Sequence, residues 1–229
     1  MDRAEASRIA HGELGLYNPL SEAALDEAIA LLALPRGARV LDVACGRAEV
    51  LRRVAERYEV EPEGYDADPA LVEASPPELG VTLAEAPPER TFDLVICIAS
   101  SHALGGFPDA LSALHGLVEP GGQLLLGEGY WRQPPGAAYL EALGGATEDE
   151  LADYPGLMRA AEDAGFTSLY ASVASDADWD RYEWRQILNS ERSGHPELHE
   201  RAERARTRLT MPGGRDTLGF ALALFRRDR

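Results

Sequence analysis

The chain has 229 residues, with 39 acidic side chains against 22 basic ones and a net charge of −17. Every one of those 22 is arginine, which excludes Schiff-base and P-loop chemistry, since both need an amine on a flexible stem. So acidic a chain is repelled by phosphate backbones and anionic lipid, so neither nucleic acid nor a membrane surface is expected as a partner.

The length suits one α/β domain with a modest insertion. Met1-Asp2-Arg3-Ala4-Glu5 is followed by no apolar run of the secretory kind, and Ala28 to Leu34 is too short to span a bilayer. Cys45 and Cys97 each lie in an apolar, strand-like segment, which fits buried thiols in a reducing compartment. A cytoplasmic protein, monomeric or homodimeric, is expected.

Ser21 is placed to cap a helix whose apolar positions run from Ala24 to Leu32, ended by the turn Pro35-Arg36-Gly37. Ala38–Val43 reads as a buried strand, Val50–Tyr58 as an amphipathic helix, Val60–Asp66 as a second strand and Pro69–Ala74 as a short helix. Gly80–Ala84 can form a third strand, and Phe92–Ala99 a fourth that is apolar on both faces. Pro108–Val118 is helical, and Glu119-Pro120-Gly121-Gly122 launches a fifth strand, Gln123–Gly127. Gly156–Ala164 reads as helix, with strands at Phe166–Val173 and Thr217–Phe225. Strands apolar on both faces and alternating with helices argue for a parallel sheet covered on both sides. The charged, aromatic-bearing stretch from Ser175 to Arg215 is too long for a turn and reads as a helical lid insertion. The expected layout is one domain: an N-terminal helical cap (1–35), a core sheet (36–174), the lid (175–215) and the last strand (216–229).

The chemistry is concentrated in loops at the carboxyl ends of the strands. In Val40-Leu41-Asp42-Val43-Ala44-Cys45-Gly46-Arg47-Ala48-Glu49, small residues at 44, 46 and 48 allow a sharp turn and a close ligand approach to the backbone. The helix that follows points its free N–H groups at that ligand, which suits a carboxylate, and Arg47 could add a guanidinium. Asp66 ends the second strand, where an acid can accept both hydroxyls of a ribose. Glu85 and Ala86 follow the third strand beside the place an adenine would take. Ala99 opens the fourth into Ser100-Ser101-His102. The loop lacks the G-x-G-x-x-G spacing of nicotinamide-binding folds.

In this order, the small-residue loop, the strand-end acid, the third-strand loop and the Phe92-Asp93-Leu94-Val95 strand resemble the successive motifs of class I S-adenosylmethionine-dependent methyltransferases. Asn18-Pro19, Gly127 to Gln133, Pro155-Gly156-Leu157 and Trp179 to Glu183 are similar to segments of the bacterial YjhP group. The resemblance runs from about Ile9 to the last strand. It implies a Rossmann-like, seven-stranded, mostly parallel sheet with an antiparallel last strand and helices on both faces. It also implies S-adenosylmethionine as cofactor, with Ala44, Gly46, Arg47, Asp66, Glu85, Ala86 and Ala99 as its binding residues. Two positions depart from the family's three-glycine loop: Ala44, a mild change, and Ala48, whose methyl group is expected to crowd the methionine end. The segment from Ser75 to Glu78 is also short, which leaves the adenine side less enclosed.

The expected reaction is in-line methyl transfer to a small-molecule acceptor, with Tyr17, Trp131, Trp179 and Tyr182 as acceptor contacts and His102 and Tyr130 as catalytic residues. Two alternatives stay open: use of S-adenosylmethionine in another reaction, or a non-catalytic ligand-binding subunit on the same fold. No metal site is expected, since His195 and His199 lack a third ligand, and the run Arg201 to Arg208 reads as a solvated helix face.

Overall fold

The computed structural model describes residues 1–229. Its strands are β1 (Ala38–Val43), β2 (Val60–Asp66), β3 (Val81–Leu83), β4 (Phe92–Ile98), β5 (Val118–Trp131), β6 (Phe166–Val173) and β7 (Leu218–Arg227). The α-helices are α1 (Arg3–His11), α2 (Glu22–Ala30), α3 (Glu49–Arg57), α4 (Pro69–Ala74), α5 (Ala110–Leu117), α6 (Ala137–Ala142), α7 (Tyr154–Asp163), α8 (Asp176–Arg192) and α9 (Pro196–Thr210).

All seven strands form one sheet in the order β3-β2-β1-β4-β5-β7-β6. β1 pairs in parallel with β2 and β4, β2 with β3, and β4 with β5. Only β7 runs antiparallel, wedged between β5 and β6. This is the Rossmann-like arrangement expected, with the last strand reversed.

The strands alternate sides, so each central strand feeds two cores. Val40, Leu94, Ile96 and Leu125 pack against α2 and α3 on one face; Leu41, Val95, Leu124 and Leu126 pack against α5 and α7 on the other. The fully buried Leu and Phe side chains of these layers contribute roughly 1.5–3 kcal/mol each. Caps define the helix starts: the Ser21 hydroxyl accepts the Ala24 N–H at 3.2 Å, and the Asp68 carboxylate accepts the Ala70 N–H at 3.0 Å.

Several elements differ from the sequence reading: α5 is shorter than Pro108–Val118, β3 is shorter than Gly80–Ala84, α7 begins two residues before Gly156, and β5 begins at Val118, so that Glu119 to Gly122 lie within the strand. α2 ends at Ala30, because Leu31 and Leu32 close a tighter turn instead of continuing the helix. β5 extends to Trp131, since β7 pairs with it as far as Tyr130↔Gly219 and Trp131↔Leu218. The short helix α6 was not foreseen; six residues are too few to show a helical period. Between β6 and β7, α8 and α9 pack through Ile187, Ala202 and Leu209. The start of α8 meets the sheet through Trp179, which joins the α2–α3 core.

Candidate functional site

β2 and β4 leave β1 on opposite sides, so the chain crosses over in opposite directions and a crevice opens at the carboxyl ends of these strands. A cavity of about 990 Å³ occupies it, lined by the loop after β1, the end of β2, the turn after β4 and the N-terminal segment. Ala44, Gly46, Arg47, Asp66, Glu85, Ala99, His102, Tyr17 and Tyr182 all line it.

The loop is held by its own acids. Asp66 accepts the Gly46 N–H at 2.8 Å through one oxygen and the Asp68 N–H at 2.9 Å through the other. Asp68, not Asp66, caps α4, so Asp66 stays at the strand end facing the cavity. Asp42 is buried beneath the loop; desolvation raises its carboxyl to about 8, although the Leu51 amide opposes the shift. Gly46 has a φ of 57°, and a side chain there would meet open space, so the backbone is bare toward the cavity. Ala44, Ala48 and Ala99 adopt left-handed φ values of 46°, 55° and 58°.

The N-terminal segment forms the outer wall. The Tyr17 ring stacks on His11 at 4.0 Å with 9° between planes, and its hydroxyl accepts from Arg47 Nε at 3.2 Å. Arg47 Nη2 donates to the Gly12 carbonyl at 3.2 Å, so this exposed guanidinium ties the loop to the segment after α1. His11 Nδ1 lies 2.8 Å from the Ser7 carbonyl, which can only accept; the neutral ring therefore leaves Nε2 to accept from the Tyr182 hydroxyl at 3.0 Å. Burial lowers His11 to about 4, which keeps the imidazole neutral at physiological pH.

A second cavity of about 570 Å³ adjoins the first and shares Arg3, Tyr17, Asn18, Ala99 and Tyr182 with it. Its roof is α8 and α9, and its floor includes Glu128, Gly129, Leu218 and Phe220. In the roof, Arg208 Nη2 donates to both Glu183 oxygens at 2.8 Å and Nη1 donates to the Tyr139 hydroxyl at 3.3 Å, all of it buried.

Glu128 is the acid that sequence reasoning missed. It is 7% exposed; Oε1 accepts the Gly129 N–H at 2.9 Å and Oε2 has no partner. Burial raises its carboxyl, with Ser101 and the Gly129 amide opposing. The signal in the sequence was a carboxylate between two glycines at the end of an apolar strand.

Several expected site residues lie elsewhere. Tyr130 is on the opposite face of β5, in the α5–α7 core, with its ring edge-on to Tyr154 at 5.5 Å. It lines neither cavity, so a catalytic role has no geometry behind it. Trp131 is also sealed away: its indole donates to the Glu148 carbonyl at 2.8 Å and packs against Tyr139. Ala86 is exposed outside the cavity, because β3 is only three residues long and the chain turns away after Glu85. Ala48 points its methyl group into the core beside Val50 and Leu51, so it does not crowd a ligand. Trp179 lines the second cavity while also belonging to the core. The Arg201–Arg208 stretch is not a plain solvated face, since Arg208 is buried and Arg201 half-buried. Cys45 and Cys97 remain ordinary thiols, both pushed upward by burial, Cys97 to about 12.

Comparison with known proteins gives this crevice its setting. The chain is 28% identical over 205 residues to the uncharacterised protein YjhP of Escherichia coli K12, covering 84% of this chain and 83% of that one. The crystal structure of YjhP superposes with a TM-score of 0.85 at 23% identity, over 97% of this chain and 99% of that one. A SAM-dependent methyltransferase from Thiobacillus denitrificans, solved with S-adenosyl-L-homocysteine, matches with a TM-score of 0.79 at 24% identity, over 99% of both chains. A third, from Geobacter sulfurreducens and in complex with the same compound, has a TM-score of 0.79 at 22% identity, over 97% of this chain and 98% of that one. Residues 19–170 match a methyltransferase-domain family model. With two thirds of its length in that match, and with the strand order and crevice described, the chain belongs to the methyltransferase-domain family.

Proposed function

We propose that the protein binds S-adenosylmethionine in the 990 Å³ crevice and transfers its methyl group to a small molecule held in the 570 Å³ cavity beneath α8 and α9. The observation that carries this reading is the junction of the two cavities at Ala99, Asn18, Tyr17 and Tyr182. The residues of the crevice fit the cofactor: bare backbone at Gly46, free N–H groups at the start of α3 and a strand-end carboxylate at Asp66. The S-adenosyl-L-homocysteine held by the Thiobacillus and Geobacter proteins supports it.

S-adenosylmethionine supplies an already activated methyl group, so the protein's task is to aim the acceptor and keep water away. Tyr17, Trp179 and Tyr182 wall the acceptor cavity. His102, at the crevice rim, is the group placed to take a proton from an acceptor that must lose one. Glu183 is already committed to Arg208. No helix is long and apolar enough to cross a membrane.

The test is transfer of label from methyl-tritiated S-adenosylmethionine into a bacterial metabolite extract. A labelled product that passes an ultrafiltration membrane is expected. Label confined to protein or nucleic acid would remove the small-molecule acceptor; cofactor binding with no transfer would favour a different reaction.

In this reading α8 and α9 are a lid. Trp179→Ala and Tyr182→Ala should impair turnover far more than S-adenosylmethionine binding. Hydrogen exchange across α8 should slow once the cofactor and an acceptor are both present. Exchange that is already slow in the free protein, and indifferent to ligands, would make the two helices a fixed wall.

A further inference from the structure

Twelve of the 22 arginines pair with a carboxylate within 4.0 Å, as an acid-rich chain makes easy. Arg3, Arg201 and Arg204 do not, and all three line the cavity beneath α8 and α9. With Arg208, they put four guanidiniums there against two carboxylates, Glu128 and Glu183. The Arg208–Glu183 pair neutralises itself. Glu128 is buried, which disfavours its charge. What remains is a positively charged chamber in a chain of net charge −17.

The three cations come from two elements that border the cavity. Arg3 opens α1; Arg201 and Arg204, three residues apart, lie on one face of α9. Only one contact of this group is fixed, Arg201 Nη2 donating to Gln186 Oε1 at 3.1 Å. Most of the N–H donors are therefore free. Burial pulls Arg201 below its ordinary value, and repulsion from Arg204 and Arg3 adds to that, while Tyr182 and Glu183 oppose it. A bound anion would remove that repulsion and take up the donors in paired, charge-assisted hydrogen bonds.

We infer that the acceptor bears a carboxylate or phosphate group, gripped by Arg201 and Arg204 of α9 with Arg3 of α1, while its apolar body lies among Leu143, Trp179 and Phe220. This rests on the reading of that cavity as the acceptor site. Arg201 and Arg204 line only the cavity beneath α8 and α9, whereas Arg3 and Ala99 lie where the two cavities join, so an anion seated on the α9 arginines presents the other end of the molecule toward that junction. Neutral molecules of the same shape would lack the anchor, and cations would be rejected.

The experiment uses protein saturated with S-adenosylhomocysteine and three probes of one shape: naphthalene carboxylate, naphthyl phosphate and uncharged naphthyl methanol. Calorimetry should show at least one anion binding about 10- to 100-fold tighter than the alcohol. Which anion wins separates a carboxylate from a phosphate acceptor. Arg201→Gln should erase the advantage while leaving the affinity of the alcohol unchanged, which also shows that the cavity is still formed. Arg57→Gln, on α3, should change neither. The inference falls if neither anion binds, if the alcohol binds as tightly as both, or if the preference survives in both Arg201→Gln and Arg204→Gln. These measurements need no methyl transfer, so they can succeed where the transferase reading fails. Conversely, a labelled transfer product that an anion exchanger does not retain would overturn the anionic acceptor and leave the transferase reading intact.

Discussion

Replacing Glu183 with alanine is expected to lower the unfolding free energy by about 3–5 kcal/mol. The mutation strands Arg208, whose side chain is 7% exposed, with only the Tyr139 hydroxyl to meet its charge. Most of the loss is the cost of a buried, unpaired guanidinium rather than the worth of the pair itself. Two companion variants separate those terms. Glu183→Gln keeps an acceptor oxygen and should cost less than Glu183→Ala. Joint replacement, Glu183→Leu with Arg208→Met, should come within about 1–2 kcal/mol of wild type, since both charges go together. Urea denaturation measures all three. A loss below about 1 kcal/mol for Glu183→Ala would mean that water reaches Arg208 and the roof of the cavity is looser than its geometry.

The second large effect is expected at Asp66. Asp66→Ala should weaken S-adenosylmethionine binding by roughly 10- to 100-fold, the ordinary loss of a charge-assisted hydrogen-bond acceptor. The structure adds a reason beyond the ribose: this carboxylate also holds the amides of Gly46 and Asp68, so its removal frees the loop that faces the cofactor. Asp66→Asn keeps one oxygen as acceptor and should lose less. Titration calorimetry on protein with an unchanged circular-dichroism spectrum is the check. Equal affinities for wild type and Asp66→Ala would place the cofactor elsewhere.

The cofactor crevice was readable in the sequence because its determinants are local. Small residues at 44 and 46 fall just past an apolar strand, and Asp66 ends the next one. Chain order and the strand–helix alternation then placed these loops side by side. The acceptor side was not readable, because it depends on faces and long-range pairing. Glu128 and Tyr130 are two residues apart on β5 and so share a face, the one that packs toward α5 and α7, where Tyr154 meets Tyr130. Nothing local in the sequence says that this face of the strand end is turned away from the acceptor cavity. Arg201 and Arg208 read as solvated for a similar reason. Alternating charge along α9 gives no hint that Glu183, 25 positions earlier, waits across the helix pair. Ala48 shows the opposite error, since its methyl group was expected at the ligand and fills the core instead.

The left-handed alanines at 44, 48 and 99 have a consequence for how a ligand is received. Each costs roughly 1–2 kcal/mol of strain, met when the chain folds and the sheet fixes the loops from both ends. Glycine would avoid the strain but leave several backbone wells open at each position. With alanine the mould is cast before the ligand arrives. Association then forfeits little chain entropy at Ala44 and Ala99, the two that face the crevice, and affinity there depends on fit rather than on ordering a slack loop.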